Sequence, residues 1–73
     1  MARGVIRKWF EDYALIRQRG EGQPDVYFRR RAWRGTDWDA LIVGMAVEFE
    51  PEDRGDGALH ARCVRPAWMR AAT

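Results

Sequence analysis

The punctuation of this chain constrains its fold more than any other feature. Two polar, glycine-bearing segments, "RGEGQP" (residues 19–24) and "PEDRGDG" (residues 51–57), join the bare step Glu11-Asp12 in cutting it into short pieces. Clusters of Gly, Pro and acidic residues end strands and make turns. Between them lie five runs that read as strands, residues 5–10, 13–17, 25–29, 45–50 and 59–64. The fourth alternates cleanly, with Met45, Val47 and Phe49 on one face and Ala46, Glu48 and Glu50 on the other. In the fifth, Leu59, Ala61 and Cys63 alternate with His60 and Arg62 until Pro66 stops the run. Residues 31–44 carry no strand pattern. They read as one long irregular connection, in which Thr36-Asp37 opens at most a helical turn leading to Leu41.

Five short strands in 73 residues leave room for one core and no second domain. A domain of this size buries roughly 60% of the surface its unfolded chain exposes, so a closed barrel suits it better than an open sheet. The predicted fold is all-β: a small five-stranded antiparallel barrel of the OB type, with the long irregular connection between strands 3 and 4. Residues 1–66 form that domain and residues 67–73 a loosely docked tail. No apolar run approaches the roughly 20 residues of a membrane span, and no apolar leader follows Met1. A cytoplasmic protein with no membrane partner is expected.

Cys63 is the only cysteine and His60 the only histidine, which excludes an internal disulfide and a four-ligand Cys/His zinc site within one chain. Three residues apart on a strand, the two also face opposite sides, so they make a poor catalytic pair. No enzymatic activity, cofactor or metal is expected. "RGEG" and "RGDG" lack the spacing of phosphate-cradling or dinucleotide loops, and neither opens a helix.

Charge is more informative. Residues 1–34 hold nine Arg and Lys against four acids, a balance of +5, while residues 35–73 hold four against seven, a balance of −3. Such asymmetry points to one polyanion-facing surface. Twelve of the thirteen cations are arginine, whose plane stacks on bases and whose fork grips phosphate. A GC-rich coding sequence gives the same bias, so arginine content alone decides nothing.

The order of the pieces resembles the cold-shock domain family. That family opens with a glycine, a hydrophobic pair and K-W-F, matched here by Gly4-Val5-Ile6 and Lys8-Trp9-Phe10. Its second-strand K-G-F-G-F-I is met only loosely, by Tyr13-Ala14-Leu15-Ile16, and its D-V-F-V-H-F by Asp25-Val26-Tyr27-Phe28-Arg29-Arg30. Ala32, Trp33, Trp38, Leu41, Gly44, Val47 and Phe49 follow in the family's order, and residues 61–66 resemble its closing A-A-N-V-R-P. The likeness runs over residues 4–66 with no single motif intact. Arg7 is an extra residue, which implies a bulge in strand 1. The loop after Phe10 is shorter, one strand-2 ring is replaced by Leu15, and Asp56 stands where some members carry a base. The register of strand 5 stays open by one residue.

The resemblance implies binding of single-stranded RNA or DNA on strands 1–3, in an RNA chaperone or antiterminator. It places Trp9, Tyr13, Tyr27 and Trp38 at ring positions that face the ligand, with Lys8 beside them. A base stacked on such a ring is worth about 1–3 kcal/mol whatever the base. The plain alternative is that these rings fill the core, for which Phe28, Phe49 and Trp33 are better placed by alternation or family position. Arg29 and Arg30 stand where the family has a histidine and a ring that touch bases. Arginine can serve both roles, although three arginines at a strand end are ordinarily just solvated. Arg31 and Arg34 are peripheral phosphate contacts or nothing, and Arg7 and Arg17 would extend the track.

A rival reading keeps the barrel and loses the ligand. In it the domain is a protein-interaction module, and the acidic stretch "EFEPEDRGD" is a docking face for a basic protein partner rather than a solvated edge. Pairing of Arg29 and Arg30 with Glu11, Asp12 or Asp25 favours that rival. An unbroken ring face with both arginines turned outward favours binding.

Overall fold

The computed structural model describes residues 2–35, 37–53, 55 and 59–69. Five strands form where the runs were predicted: β1 (Ala2–Trp9), β2 (Tyr13–Gln18), β3 (Val26–Arg29), β4 (Ala46–Asp53) and β5 (Leu59–Pro66). Between β3 and β4 the long connection holds two 3₁₀ turns, Arg30–Ala32 and Trp38–Ala40. The second is the expected helical turn, closed by Leu41 N–H donating to the Trp38 carbonyl at 3.1 Å. Thr36 and Asp56 lie outside the described residues. Strand β5 ends at Pro66, the expected boundary, yet Ala67 N–H still donates to the Ala46 carbonyl at 2.9 Å. Residues 70–73 of the expected tail lie outside the described residues. No helix among the described residues is long and apolar enough to cross a membrane.

The sheet closes into a barrel in the order β1-β2-β3-β5-β4, as an OB-like barrel does. One part of the expectation needs correction, because the barrel is mixed rather than wholly antiparallel. β3 and β5 run parallel, with Val26 opposite Leu59 and Tyr27 opposite His60. The reason is arithmetic. Around a closed ring of five strands, directions cannot alternate throughout, so at least one neighbouring pair must be parallel.

Two bulges set which side chains face inward. In β1 the register slips between Ile6 and Lys8, so Arg7 is the extra residue that the sequence implied. In β5 the slip falls opposite Glu50 and Pro51, and Arg62 is passed over. The inward series there runs Ala61, Val64, Pro66 instead of continuing through Cys63. Cys63 is therefore only half-buried, and the strand-5 register that the sequence left open is resolved by this bulge.

Ile6, Ile16, Val26, Phe28, Val47, Phe49 and Val64 fill the barrel almost without exposure. Each such side chain stabilises the fold by roughly 1.5–3 kcal/mol relative to leaving it in water. Gly4 lets β1 and β2 approach, since a Cβ there would lie 2.5 Å from the Ile16 side chain and 2.6 Å from the Arg17 carbonyl oxygen. The irregular connection caps the barrel with Ala32, Trp33, Trp38 and Leu41, all buried. Phe28 sits between the two tryptophans, with ring centroids 6.4 Å from Trp33 and 5.8 Å from Trp38. The expectation that Phe28, Phe49 and Trp33 are core holds.

Candidate nucleic-acid interface

Residues opposite each other on neighbouring strands share a face, so the register reads out the barrel's outer surface directly. Lys8 lies opposite Leu15, Leu15 opposite Tyr27, and Tyr27 opposite His60. One step along, Tyr13 lies opposite Arg29. Tyr13, Leu15 and Tyr27 alternate with the buried Ala14, Ile16, Val26 and Phe28, which turns their side chains outward.

On this face four rings make a continuous row. Phe10 stacks on Tyr13 at 4.7 Å and 23°, Tyr13 meets Tyr27 at 5.2 Å and 34°, and Tyr27 meets His60 edge-on at 5.4 Å. These are contact distances for aromatic pairs, so no base fits between consecutive rings. A base would have to lie on the outward surface of the row. Phe10 is the most open ring, 43% exposed.

Arg29 ends β3 and Arg30 begins the first 3₁₀ turn, and both are exposed. Among the described residues neither guanidinium has an ion pair. Asp25 is held by Arg7 in an ion pair, and Asp12 meets Arg30 only through the backbone, its carbonyl accepting from Arg30 N–H at 2.9 Å. A shallow depression of about 450 Å³ lies over Tyr13, Tyr27, Arg29, Arg30 and Arg31, with Asp12 at its margin as the one acid among its described lining residues. It joins the ring row to the exposed arginines. Arg17 is exposed on the same face, opposite Val5, and with Arg19 lines a wider hollow under the β2–β3 loop.

Of the predicted site residues, Lys8, Tyr13, Tyr27, Arg29 and Arg30 share this surface. Trp38 does not. It is 5% exposed, edge-on to Phe28, with its Nε1–H donating to the Phe10 carbonyl at 3.0 Å. A satisfied indole in the core is no base platform. Trp9 is also displaced. It lies opposite the fully buried Ala14, packs half-buried against the core and meets Trp38 edge-on at 6.2 Å. The cause is Arg7, because one extra residue reverses which side of β1 the following side chains take. Lys8 therefore gains the outer face that the resemblance gave to Trp9.

Two ring positions escaped the sequence reading. Phe10 has a sequence signal: only two residues separate it from Tyr13, and Phe10 N–H donates to the Tyr13 carbonyl at 2.8 Å to close that turn. Residues flanking so tight a turn sit side by side. His60 has no such signal, since it reaches Tyr27 only through the parallel pairing that closes the barrel.

Three acids of the acidic stretch, Glu48, Glu50 and Asp53, have partners within the barrel. Glu48 accepts from Arg3 at 3.1 Å and from Arg65 at 3.1 Å, and Glu50 pairs with Arg62 at 3.2 Å. Burial pushes the Glu48 carboxyl up, but hydrogen bonds and charge from Arg65 and Arg3 outweigh it and hold the group below its ordinary value. Asp53 accepts from Gly55 N–H at 2.8 Å. Among the described residues, no group of three or more His, Cys, Asp or Glu side chains is placed to hold a metal ion. Compared with models of protein families the chain matches none, and no curated protein matches it.

Proposed function

We propose that this barrel binds single-stranded RNA or DNA on the outer face of β1, β2 and β3, as the likeness to cold-shock domains implies. The bases lie on the row Phe10, Tyr13, Tyr27 and His60, and the phosphates run past Lys8, Arg29 and Arg30. The carrying observation is the conjunction on one face: touching rings beside two exposed arginines that make no ion pair among the described residues. A single-strand binder needs both parts, π-surface for bases and positive charge for the backbone. The protein makes or breaks no covalent bond in this role. It holds bases unstacked from one another, which is how a chaperone or antiterminator melts weak RNA structure.

Anisotropy of a labelled pyrimidine oligomer, titrated with the protein, tests the reading. Single strand should bind much more tightly than duplex of equal length, because duplex bases are not available to stack. Equal affinity for the two would leave only charge and sink the stacking mechanism.

A further inference from the structure

Beyond His60 the ring row runs into a second, smaller depression of about 240 Å³ between the first 3₁₀ turn and β5. Arg29, Arg31, Arg34 and Arg62 line it together with His60, and Glu52 is the only carboxylate among its described lining residues. Residues 31 and 62 are far apart in the chain. They meet because Trp33 bridges Val64 in parallel and Arg34 N–H donates to the Val64 carbonyl at 2.7 Å, laying the turn along β5.

The Arg34 guanidinium is held in place, its Nη1 donating to the Arg31 carbonyl at 2.6 Å and more weakly to the Trp33 carbonyl at 3.5 Å. Its remaining N–H groups are pre-oriented rather than searching. Arg62 is partly offset by Glu50 at 3.2 Å, and Glu52 adds one acid to the lining. Four cations against these two acids still leave an anion-attracting hollow. Its volume falls below the roughly 300–1,000 Å³ usual for small-molecule sites, so it suits a small anion rather than a whole nucleoside. Arginine forks match phosphate oxygens in pairs.

We infer that this hollow binds a phosphate group of the nucleic-acid strand, one step past the base that stacks on Tyr27 and His60. The inference rests on the proposed single-strand binding and extends it from β3 to β5. The bound strand then crosses the parallel seam of the barrel instead of stopping at the arginine pair.

The test compares wild type with Arg34→Gln/Arg62→Gln, both at exposed positions and neither lining the depression over Tyr13 and Tyr27. Affinity for an unlabelled-end pyrimidine oligomer is measured across a salt series, with a thermal melt to verify the fold. Oligomers carrying a 5′-phosphate, a 3′-phosphate or neither distinguish a terminal group from an internal phosphodiester. The slope of log affinity against log salt should fall by about 0.7 in the variant for the oligomer whose phosphate reaches the hollow. Arg34→Lys/Arg62→Lys should keep the slope, since charge is retained. An unchanged slope for all three oligomers, with wild-type affinity intact, overturns the hollow while leaving the ring-face reading standing. Failure of wild type to bind any oligomer removes the reading beneath it.

Discussion

Two faces of this barrel use the same residue type in opposite ways. On β4 and β5, and the β1 edge beside them, Arg3, Arg62 and Arg65 are each paired with Glu48 or Glu50. At the end of β3 and the start of the 3₁₀ turn that follows it, Arg29 and Arg30 are exposed with no ion pair among the described residues. The first arrangement is a cross-strand lattice of opposite charges, worth little per exposed pair but ordered by register. The second concentrates unopposed charge beside aromatic surface. Arginine content does not separate the two faces; the presence or absence of an acid across the strand, among the described residues, does.

The rings repeat the lesson, and they give the largest expected effects. Trp38→Ala should empty part of the core and cost about 3–5 kcal/mol of stability, as large aromatic truncations do. Tyr27→Ala should cost about 1–3 kcal/mol of binding to a single strand and leave the salt slope nearly unchanged. A melt and a titration on each variant separate the two. A stable Trp38→Ala that loses binding, or a Tyr27→Ala that unfolds without a binding defect, would exchange their roles and break the comparison.

Why was Tyr27 legible from sequence and Trp9 not? Tyr27 sits in an unbroken alternation, Val26, Tyr27, Phe28, where period two is enough. Trp9 follows a bulge, and a one-residue slip reverses every later side chain. Arg7 was visible as an extra residue, but its consequence for Trp9 needed the pairing with Ala14. The five strands and the capping connection were legible because turn chemistry and alternation are local. The parallel seam, His60 and the burial of Trp38 were not, since each depends on closing the barrel over a long loop.

A smaller effect sharpens the contrast between the arginines themselves. Replacing Arg29 and Arg30 by Gln should flatten the salt dependence of binding by roughly 1.4, at about 0.7 per phosphate contact on a single strand. If the two stack on bases instead, affinity should drop at every salt with the slope nearly constant. The matching change on the other face, Arg3→Gln/Arg65→Gln, should leave affinity and slope alone and slightly lower the melting temperature. A binding defect from that second pair would mean the ligand path runs over β4, and the division between the faces would fail.

The smallest expected effect is the pH response of the paired face. Arg65 and Arg3 hold the Glu48 carboxylate below its ordinary value of 4.5, despite the opposing push of burial. The folded state therefore favours the charged form more than the unfolded chain does. That contribution is fully present above the ordinary carboxylate value and is lost as pH falls through the lower folded value. Thermal melts of wild type and Glu48→Gln from neutral pH downward should show wild type ahead at neutrality and the gap closing below about pH 4.5. The closing should shift little with ligand, because the ring row and Arg29 lie on the other face. A gap that stays constant across the range would show that Glu48 acts by packing alone. Arg3 and Arg65 would then be as unopposed, energetically, as Arg29 and Arg30.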